Sequence, residues 1–227
     1  MLLNILNKLE RKFGRYYISN LMLYIVIGTG IVFASIYLFP DIGALLLYYL
    51  SFDRTAILHG QIWRIISFVF LPESFNPISM LFWLYLYWMI GSSLENYWGG
   101  FRFNLYYFSG VLFAIIAGFI TGYATNYYLN LSLFLAIAIL NPNMQLLLFF
   151  FIPVKMKWLG WLYVAILVYS FIFSGWGTRV LIIISLLNIV LFFGGDFFGK
   201  IRDKFKYRKV RKNFRKNIKM TTYKDEE

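Results

Sequence analysis

Uncharged apolar stretches alternate with short polar segments along this chain. The clearest stretch runs from Pro77 to Leu94 and lies within 21 uncharged residues between Glu73 and Glu95, most of them Leu, Ile, Phe, Trp or Tyr. That length and composition predict a helix that crosses a hydrocarbon layer about 30 Å thick. Turn-like and proline-containing segments divide the remaining apolar sequence, which predicts further spans at residues 21–39, 103–121, 128–141, 158–173 and 180–195.

The segments outside these spans divide the chain into three parts. Residues 1–20 place apolar side chains at helical spacing and basic side chains on other faces, which predicts an amphipathic helix on the membrane surface. Residues 40–75 combine a short apolar stretch with six acidic or basic side chains, so we expect a half-embedded first loop. The expected fold is an all-α integral membrane protein with a surface helix (1–20), a six-helix membrane domain (21–198) and a basic tail (199–227).

The apolar segment Met144–Val154 has two interpretations. It follows the helix-stopping sequence Asn141-Pro142-Asn143 and contains Pro153 near its end. We expect it to pack at the cytoplasmic boundary of the membrane. The alternative is that it continues the fourth span past a proline kink.

Composition and charge agree with a membrane location. The chain is 60% hydrophobic and 14% charged, and its 22 Lys and Arg residues exceed its 10 Asp and Glu residues. With six spans and both termini in the cytoplasm, 19 basic residues lie inside and three lie outside, as the positive-inside rule requires. Richness in Phe, Ile, Asn, Lys and Tyr indicates an AT-rich genome, and hence a bacterial plasma membrane, with the endoplasmic reticulum as the alternative.

Several kinds of chemistry are excluded by residue type. The chain has no cysteine, which excludes a disulfide framework or a thiolate nucleophile, and its one histidine, His59, excludes a histidine-cluster metal site. We expect no cofactor and no metal. Coupled ion transport also fits poorly, because no carboxylate or lysine lies well inside a predicted span.

At Gly60-Gln61-Ile62-Trp63-Arg64 the chain resembles the rhomboid superfamily, which includes intramembrane proteases and the non-proteolytic Derlins. Two further features strengthen the resemblance: the end of the second predicted span, and the run from Asn141 to Trp158. The resemblance implies a six-helix bundle in which the Trp-Arg pair and the glutamate of span two hold the first loop against the bundle. The residues that match this structural motif are Gly60, Gln61, Trp63, Arg64, Glu95, Trp98, Gly99 and Arg102.

The same resemblance argues against proteolysis. Rhomboid proteases use a Gly-x-Ser-Gly serine in span four and a histidine in span six, yet this chain has no glycine between Gly122 and Gly160 and no histidine in 180–195. The family's oxyanion-stabilising histidine and asparagine, 16 and 12 residues before the glutamate, correspond here to Ser79 and Trp83. In span six the family histidine could correspond to Asn188, Ser185 or Phe192, none of which is a base near neutral pH.

One enzyme hypothesis remains, in which Ser132 of span four pairs with His59. The competing interpretation is that Ser132 hydrogen-bonds a backbone carbonyl one turn back and that His59 is a solvated interfacial residue. The other polar residues in the spans, among them Asn104, Asn130 and Asn141, are expected to be packing contacts between helices.

Three functions remain as expectations. The resemblance implies a catalytically inactive protein that binds transmembrane partners or clients, in quality control or trafficking. The basic tail, with 12 basic against four acidic residues after Gly199, raises the alternative of a lipid-handling or structural protein that binds anionic lipids. A rhomboid-type serine protease with a non-standard site is the third. Binding of the tail to a specific nucleic acid is not indicated.

Overall fold

The computed structural model describes residues 2–148 and 152–193 of the chain. A short helix, α1 (Leu2–Phe13), precedes α2 (Leu21–Leu38). The next segment contains α3 (Pro40–Leu50), α4 (Arg54–Leu58), α5 (Arg64–Ser67) and a 3₁₀ turn at Phe68–Phe70. Long helices follow at α6 (Pro77–Trp98) and α7 (Gly100–Thr121), then the shorter α8 (Tyr127–Leu140), strands β1 (Gln145–Leu148) and β2 (Ile152–Lys155), α9 (Met156–Phe173) and α10 (Trp176–Phe193).

Five of these helices, α2, α6, α7, α9 and α10, are long and apolar enough to cross a membrane. The chain is therefore a mostly helical, membrane-embedded protein. The remaining predicted span, 128–141, is α8, which has only 14 residues. At 1.5 Å per residue it measures about 21 Å, less than the thickness of a hydrocarbon core.

Helix α6 begins at Pro77 as predicted, but it ends later than predicted, and both ends have local reasons. Asn76 caps the helix, since its Oδ1 accepts hydrogen bonds from the backbone N–H groups of Ile78 and Ser79 at 3.0 and 3.2 Å. The helix continues four residues beyond Leu94, and the chain then turns at Gly99, which has a φ of 82°. A glycine takes that conformation without the steric penalty of a side chain. As a result α7 begins at Gly100, three residues earlier than predicted.

Helix α8 is the centre of the bundle. Its ten consecutive residues from Leu129 to Ala138 are all buried, so no face of this stretch is left for solvent or lipid. It packs against α6, α7 and α9, and its Leu131 and Leu135 join Leu167 of α9 with Ile182 and Ile189 of α10 in one apolar cluster. A helix that is apolar on every side is expected to lie in a core.

The segment 144–154 forms a β-hairpin, which the sequence analysis did not anticipate. Strands β1 and β2 pair antiparallel with Gln145 opposite Lys155 and Leu147 opposite Pro153. The alternative prediction, a fourth span continued past a proline kink, is wrong, because α8 ends at Leu140. Pro142 has no N–H with which to continue the helix, and it disfavours the helical conformation of the preceding residue.

The amino-terminal helix is shorter than predicted, since α1 ends at Phe13 and the chain to Asn20 is not helical. Arg102 of α7 pairs with Glu10 of α1 at 2.6 Å. The Asn104 side chain also donates a hydrogen bond to the carbonyl of Ile18 at 3.1 Å, so α7 fixes the segment that leads into α2. The predicted basic tail, 199–227, and the end of the predicted sixth span lie outside the described residues.

Candidate functional site

Arg64 is the most enclosed charged residue described, with 1% of its surface exposed. Its Nη1 donates to the backbone carbonyls of Tyr48 at 2.5 Å and Ser51 at 2.8 Å. Its Nε donates to Gln61 Oε1 at 2.6 Å, and the guanidinium lies 5.0 Å from the centre of the Tyr48 ring. These hydrogen bonds close the carboxyl end of α3 onto α5.

The neighbouring Trp63 faces outward, with 52% of its surface exposed. Its indole N–H donates to the carbonyl of Tyr49 at 3.1 Å, and Tyr49 directly follows Tyr48, whose carbonyl accepts from Arg64. Gly60 has a φ of 100°, which turns the chain between α4 and this pair. The Trp-Arg pair therefore makes these hydrogen bonds within the first loop.

The other motif residues lie at the opposite end of α6. Glu95 Oε1 accepts a hydrogen bond from the backbone N–H of Asn20 at 2.9 Å, so this glutamate contacts the start of α2 rather than the first loop. Trp98 packs against Tyr106 of α7 and Phe193 of α10, with ring centres 5.2 and 5.4 Å apart. Glu95, Trp98 and Arg102 join the ends of α1, α2, α6, α7 and α10.

Ser132 and His59 are each held by a backbone carbonyl of their own segment. The Ser132 hydroxyl is buried and donates to the carbonyl of Leu129 at 2.7 Å, as the competing interpretation expected. His59 is exposed, and its Nδ1 lies 2.7 Å from the carbonyl oxygen of Thr55. The structure shows no hydrogen bond between Ser132 and His59, so these two residues are not paired as nucleophile and base in it.

Asn188 is a buried link between α10 and α7. Its Oδ1 accepts a hydrogen bond from Ser109 Oγ at 2.8 Å, and its Nδ2 donates to the carbonyl of Tyr106 at 3.2 Å. Ser185, one turn earlier, donates to the carbonyl of Tyr128 at 2.7 Å. Ser132, Ser185 and Asn188 line a single cavity whose free space is about 10 Å³, room for one water molecule at most.

A second polar cluster lies on the other side of α8, and the sequence analysis did not single it out. Glu73, in the segment between the 3₁₀ turn and α6, accepts hydrogen bonds from Tyr87 Oη of α6 and Asn130 Nδ2 of α8, both at 2.6 Å. Asn126 positions the backbone that precedes Glu73, since the Asn126 Nδ2 donates to the carbonyls of Val69 at 3.2 Å and Leu71 at 2.7 Å. We call Glu73, Tyr87 and Asn130 the acidic cluster.

The protein environment changes the acidity of two carboxyl groups outside the spans. Burial raises the pKa of Glu73 above its ordinary value, and the hydrogen bonds from Asn130 and Tyr87 offset that effect only in part. In contrast, hydrogen bonds from Thr55 and from the N–H of Ala56 hold the pKa of Asp53 below its ordinary value. Asp53 caps α4, whereas Glu73 contacts side chains of α6 and α8.

The acidic cluster borders a cleft between α6 and α9. These two helices make only marginal contact with each other, while both pack on α8, which forms the floor. The Trp83 and Tyr87 rings stack with centres 5.6 Å apart, and Tyr163 packs on Phe134 at 4.6 Å. We call this space the α6–α9 cleft; its free space is about 10 Å³, room for one water-sized group, and it is lined by Trp83, Tyr87, Tyr127, Asn130, Leu131, Phe134 and Tyr163.

The structure separates the predicted site residues into two groups. Trp83 lines the α6–α9 cleft, whereas Ser132 and Asn188 line the cavity on the other side of α8. Ser79 is half-buried in the first turn of α6. Phe192, the alternative to Asn188, packs edge-to-face against Tyr106, with ring centres 5.0 Å apart. The sequence offered one signal for Glu73, an acidic residue four positions before a long apolar helix, but nothing that paired it with residue 87 or 130.

No protein-family model, curated protein or solved structure matches this chain.

Proposed function

We propose that this chain is a non-catalytic, rhomboid-like membrane protein that binds transmembrane segments of other membrane proteins. The observation that carries the proposal is the α6–α9 cleft, an aromatic-walled space between two spanning helices with a polar floor at Asn130. In lipid, a helix gains little from apolar contact alone, so small polar groups within reach of a partner helix decide association.

The proposal includes six crossings, with α8 as a short crossing buried in protein. The beginning of α8 lies beside the beginning of α6, because Asn126 bonds Leu71 and Asn130 bonds Glu73. The end of α10 lies beside the end of α6, through the Trp98–Phe193 contact. Only two residues join α9 to α10, so the two helices run in opposite directions and α9 begins on the side where α6 ends. Helix α8 begins on the other side and must cross to reach the start of α9.

The orientation follows from the charges on the two sides. Lys155 and Lys157 lie at the α9 start, and Arg102 lies near the start of α7. The positive-inside rule assigns this side to the cytoplasm, together with both termini. The acidic cluster then lies toward the outer side, and the bacterial plasma membrane remains the proposed location.

The contacts of the polar residues support a non-catalytic role. A serine needs a base to take its proton before it becomes a useful nucleophile. The Ser132 hydroxyl is instead committed to the carbonyl of Leu129, and Asn188 is held by Ser109 and Tyr106. The cavity that these residues share has about 10 Å³ of free space, too little for a peptide bond.

Cysteine crosslinking tests the proposal, and the chain suits it because it has no native cysteine. The full chain with Ile166→Cys, one turn from Tyr163 on α9, is reconstituted with a single-span peptide that carries one mid-membrane cysteine. The matched control is Ile116→Cys on α7, because the two isoleucines are 42% and 44% exposed. We expect a disulfide-linked, intact peptide at position 166 in clear excess over position 116.

Two results contradict the proposal. Equal crosslinking at positions 166 and 116 means that the peptide meets the protein only by lateral collision. Peptide fragments that depend on the presence of the chain mean that it is a protease.

A further inference from the structure

The Glu73 carboxyl of the acidic cluster has no basic side chain beside it among the described residues. Glu73 forms hydrogen bonds with Tyr87 and Asn130 but no ion pair with a described Lys or Arg. The described arginines near the first loop have other partners: Arg64 bonds Tyr48 and Ser51, and Arg54 bonds Phe119. A partly buried carboxylate without a counter-charge is costly, which favours the binding of a cation beside it.

The cluster lies alongside α6 rather than at its end. Tyr87 stands ten residues after Pro77, the first residue of α6. Ten residues span about 15 Å of helix, and helical side chains lean back toward the amino terminus. The Glu73 carboxyl, which accepts the Tyr87 hydroxyl, is therefore beside the outer half of α6.

Asn130 and Tyr87 use their donor groups on Glu73, so among the described residues their oxygen atoms remain as unused acceptors in the cleft. Asn130 uses its Nδ2 as the donor to Glu73, and Tyr87 uses its hydroxyl hydrogen in the same way. The Asn130 Oδ1 and the lone pairs of Tyr87 Oη have no partner among the described residues, and both residues line the α6–α9 cleft. Ammonium and guanidinium groups are donors without acceptors, so they complement such a surface.

The walls of the cleft favour the same ligand. Five aromatic side chains line it: Trp83, Tyr87, Tyr127, Phe134 and Tyr163. Aromatic faces attract cations, and the attraction grows when the cation has lost its water. The lining contains no basic residue that would repel a cation.

We infer that the α6–α9 cleft selects transmembrane segments that carry a lysine in their outer half, whose water-sized ammonium group matches the free space of the cleft, with Asn130 and Tyr87 as acceptors and Glu73 as counter-charge. The inference rests on the proposed function and names the client class of that same site. Within a membrane such a basic side chain is itself unfavourable in lipid, so both partners gain from the contact.

The test uses the Ile166→Cys chain in phosphatidylcholine vesicles, which contain no primary-amine lipid to compete. Three peptides differ at one outer-half position, which holds lysine, norleucine or glutamate. We expect the lysine peptide to be captured about tenfold more than the norleucine peptide, in the range of a desolvated charge pair. The glutamate peptide is expected to be captured least.

Glu73→Gln, which keeps the size and one acceptor of the side chain, is expected to remove the preference for the lysine peptide over the norleucine peptide. Equal capture of lysine and norleucine peptides by the unaltered cluster overturns the inference, and so does a preference that survives Glu73→Gln. The peptide comparison needs no variant of the cluster, so it stands even where Glu73→Gln does not fold. Capture without preference leaves the proposed function intact, whereas no capture of any peptide at position 166 removes both.

Discussion

Asn20 and Glu95 meet across the end of the bundle, where the backbone N–H of Asn20 donates to Glu95 Oε1 at 2.9 Å. Asn20 is the one non-glycine residue with a positive φ among those described, at 53°, and it immediately precedes α2. A carboxylate at a helix start also interacts favourably with the helix dipole. This contact sets where α2 begins relative to the end of α6.

Replacement of Glu95 is expected to loosen the start of α2. Glu95→Ala removes the acceptor for the Asn20 N–H, and we expect a loss of about 1 kcal/mol in the free energy of unfolding. Glu95→Gln keeps an acceptor and is expected to lose less. Thermal unfolding in detergent compares the two, and equal losses would mean that the hydrogen bond is not what stabilises this end.

The contact between α2 and α6 is too close for a side chain at Gly91. A Cβ placed there would lie 2.4 Å from the Cβ of Met22, whereas one at Gly30, in the same interface, would find Leu84 Cδ1 at 3.8 Å. Gly91→Ala is therefore expected to destabilise the fold by about 1–3 kcal/mol through overpacking. Gly30→Ala is the matched control, and a loss as large for it would contradict this packing.

Removal of Arg64 is expected to open the first loop. Arg64→Ala leaves the buried carbonyls of Tyr48 and Ser51 without their charged donor, which we expect to destabilise the fold by about 3 kcal/mol. Arg64→Lys is expected to restore little, because lysine lacks the planar fork of donors. Proteolysis of the loop in intact vesicles provides the readout. Arg54→Ala, which removes an exposed arginine with a carbonyl contact to Phe119, serves as the control and should increase cleavage much less.

Glu73 makes stability depend on pH. Its pKa in the folded chain is raised, so the stabilisation it contributes is present below the unfolded-state pKa and is lost as the pH rises through the folded-state pKa. We expect the melting temperature to increase as the pH falls through the raised folded-state pKa of Glu73 towards its unfolded-state pKa, and this increase to be absent in Glu73→Gln. The lowered pKa of Asp53 acts at more acidic pH, outside that window. An identical pH profile for both proteins would contradict the assignment.

The sequence predicted the features that depend on local composition. Apolar length alone located α2, α6, α7 and α9, because a spanning helix satisfies its own backbone hydrogen bonds. That Arg64 donates to carbonyl oxygens could also be predicted, since a buried guanidinium requires acceptors. The β-hairpin was missed, because the segment 144–154 is apolar throughout and shows no alternation that would indicate strands.

The acidic cluster could not have been predicted from the sequence. It joins residue 73 to residues 87 and 130, which come together only when α6 packs on α8 and Asn126 holds the chain at Leu71. The partner of Glu95 was unpredictable for the same reason, since Asn20 lies 75 positions away. Contacts of this kind depend on tertiary packing, which the periodicity of hydrophobic residues along the sequence does not reveal.

The central claim is that the α6–α9 cleft binds a transmembrane segment without cleaving it. A photoreactive phenylalanine derivative at Trp83 in the full chain tests this, with a defined single-span protein that carries a lysine in its outer half and a different tag at each end. Leu112 on α7, which is 55% exposed, is the control position. We predict an adduct from position 83 that carries both tags and exceeds the adduct from position 112. An adduct with one tag alone, or equal adducts from the two positions, would contradict it.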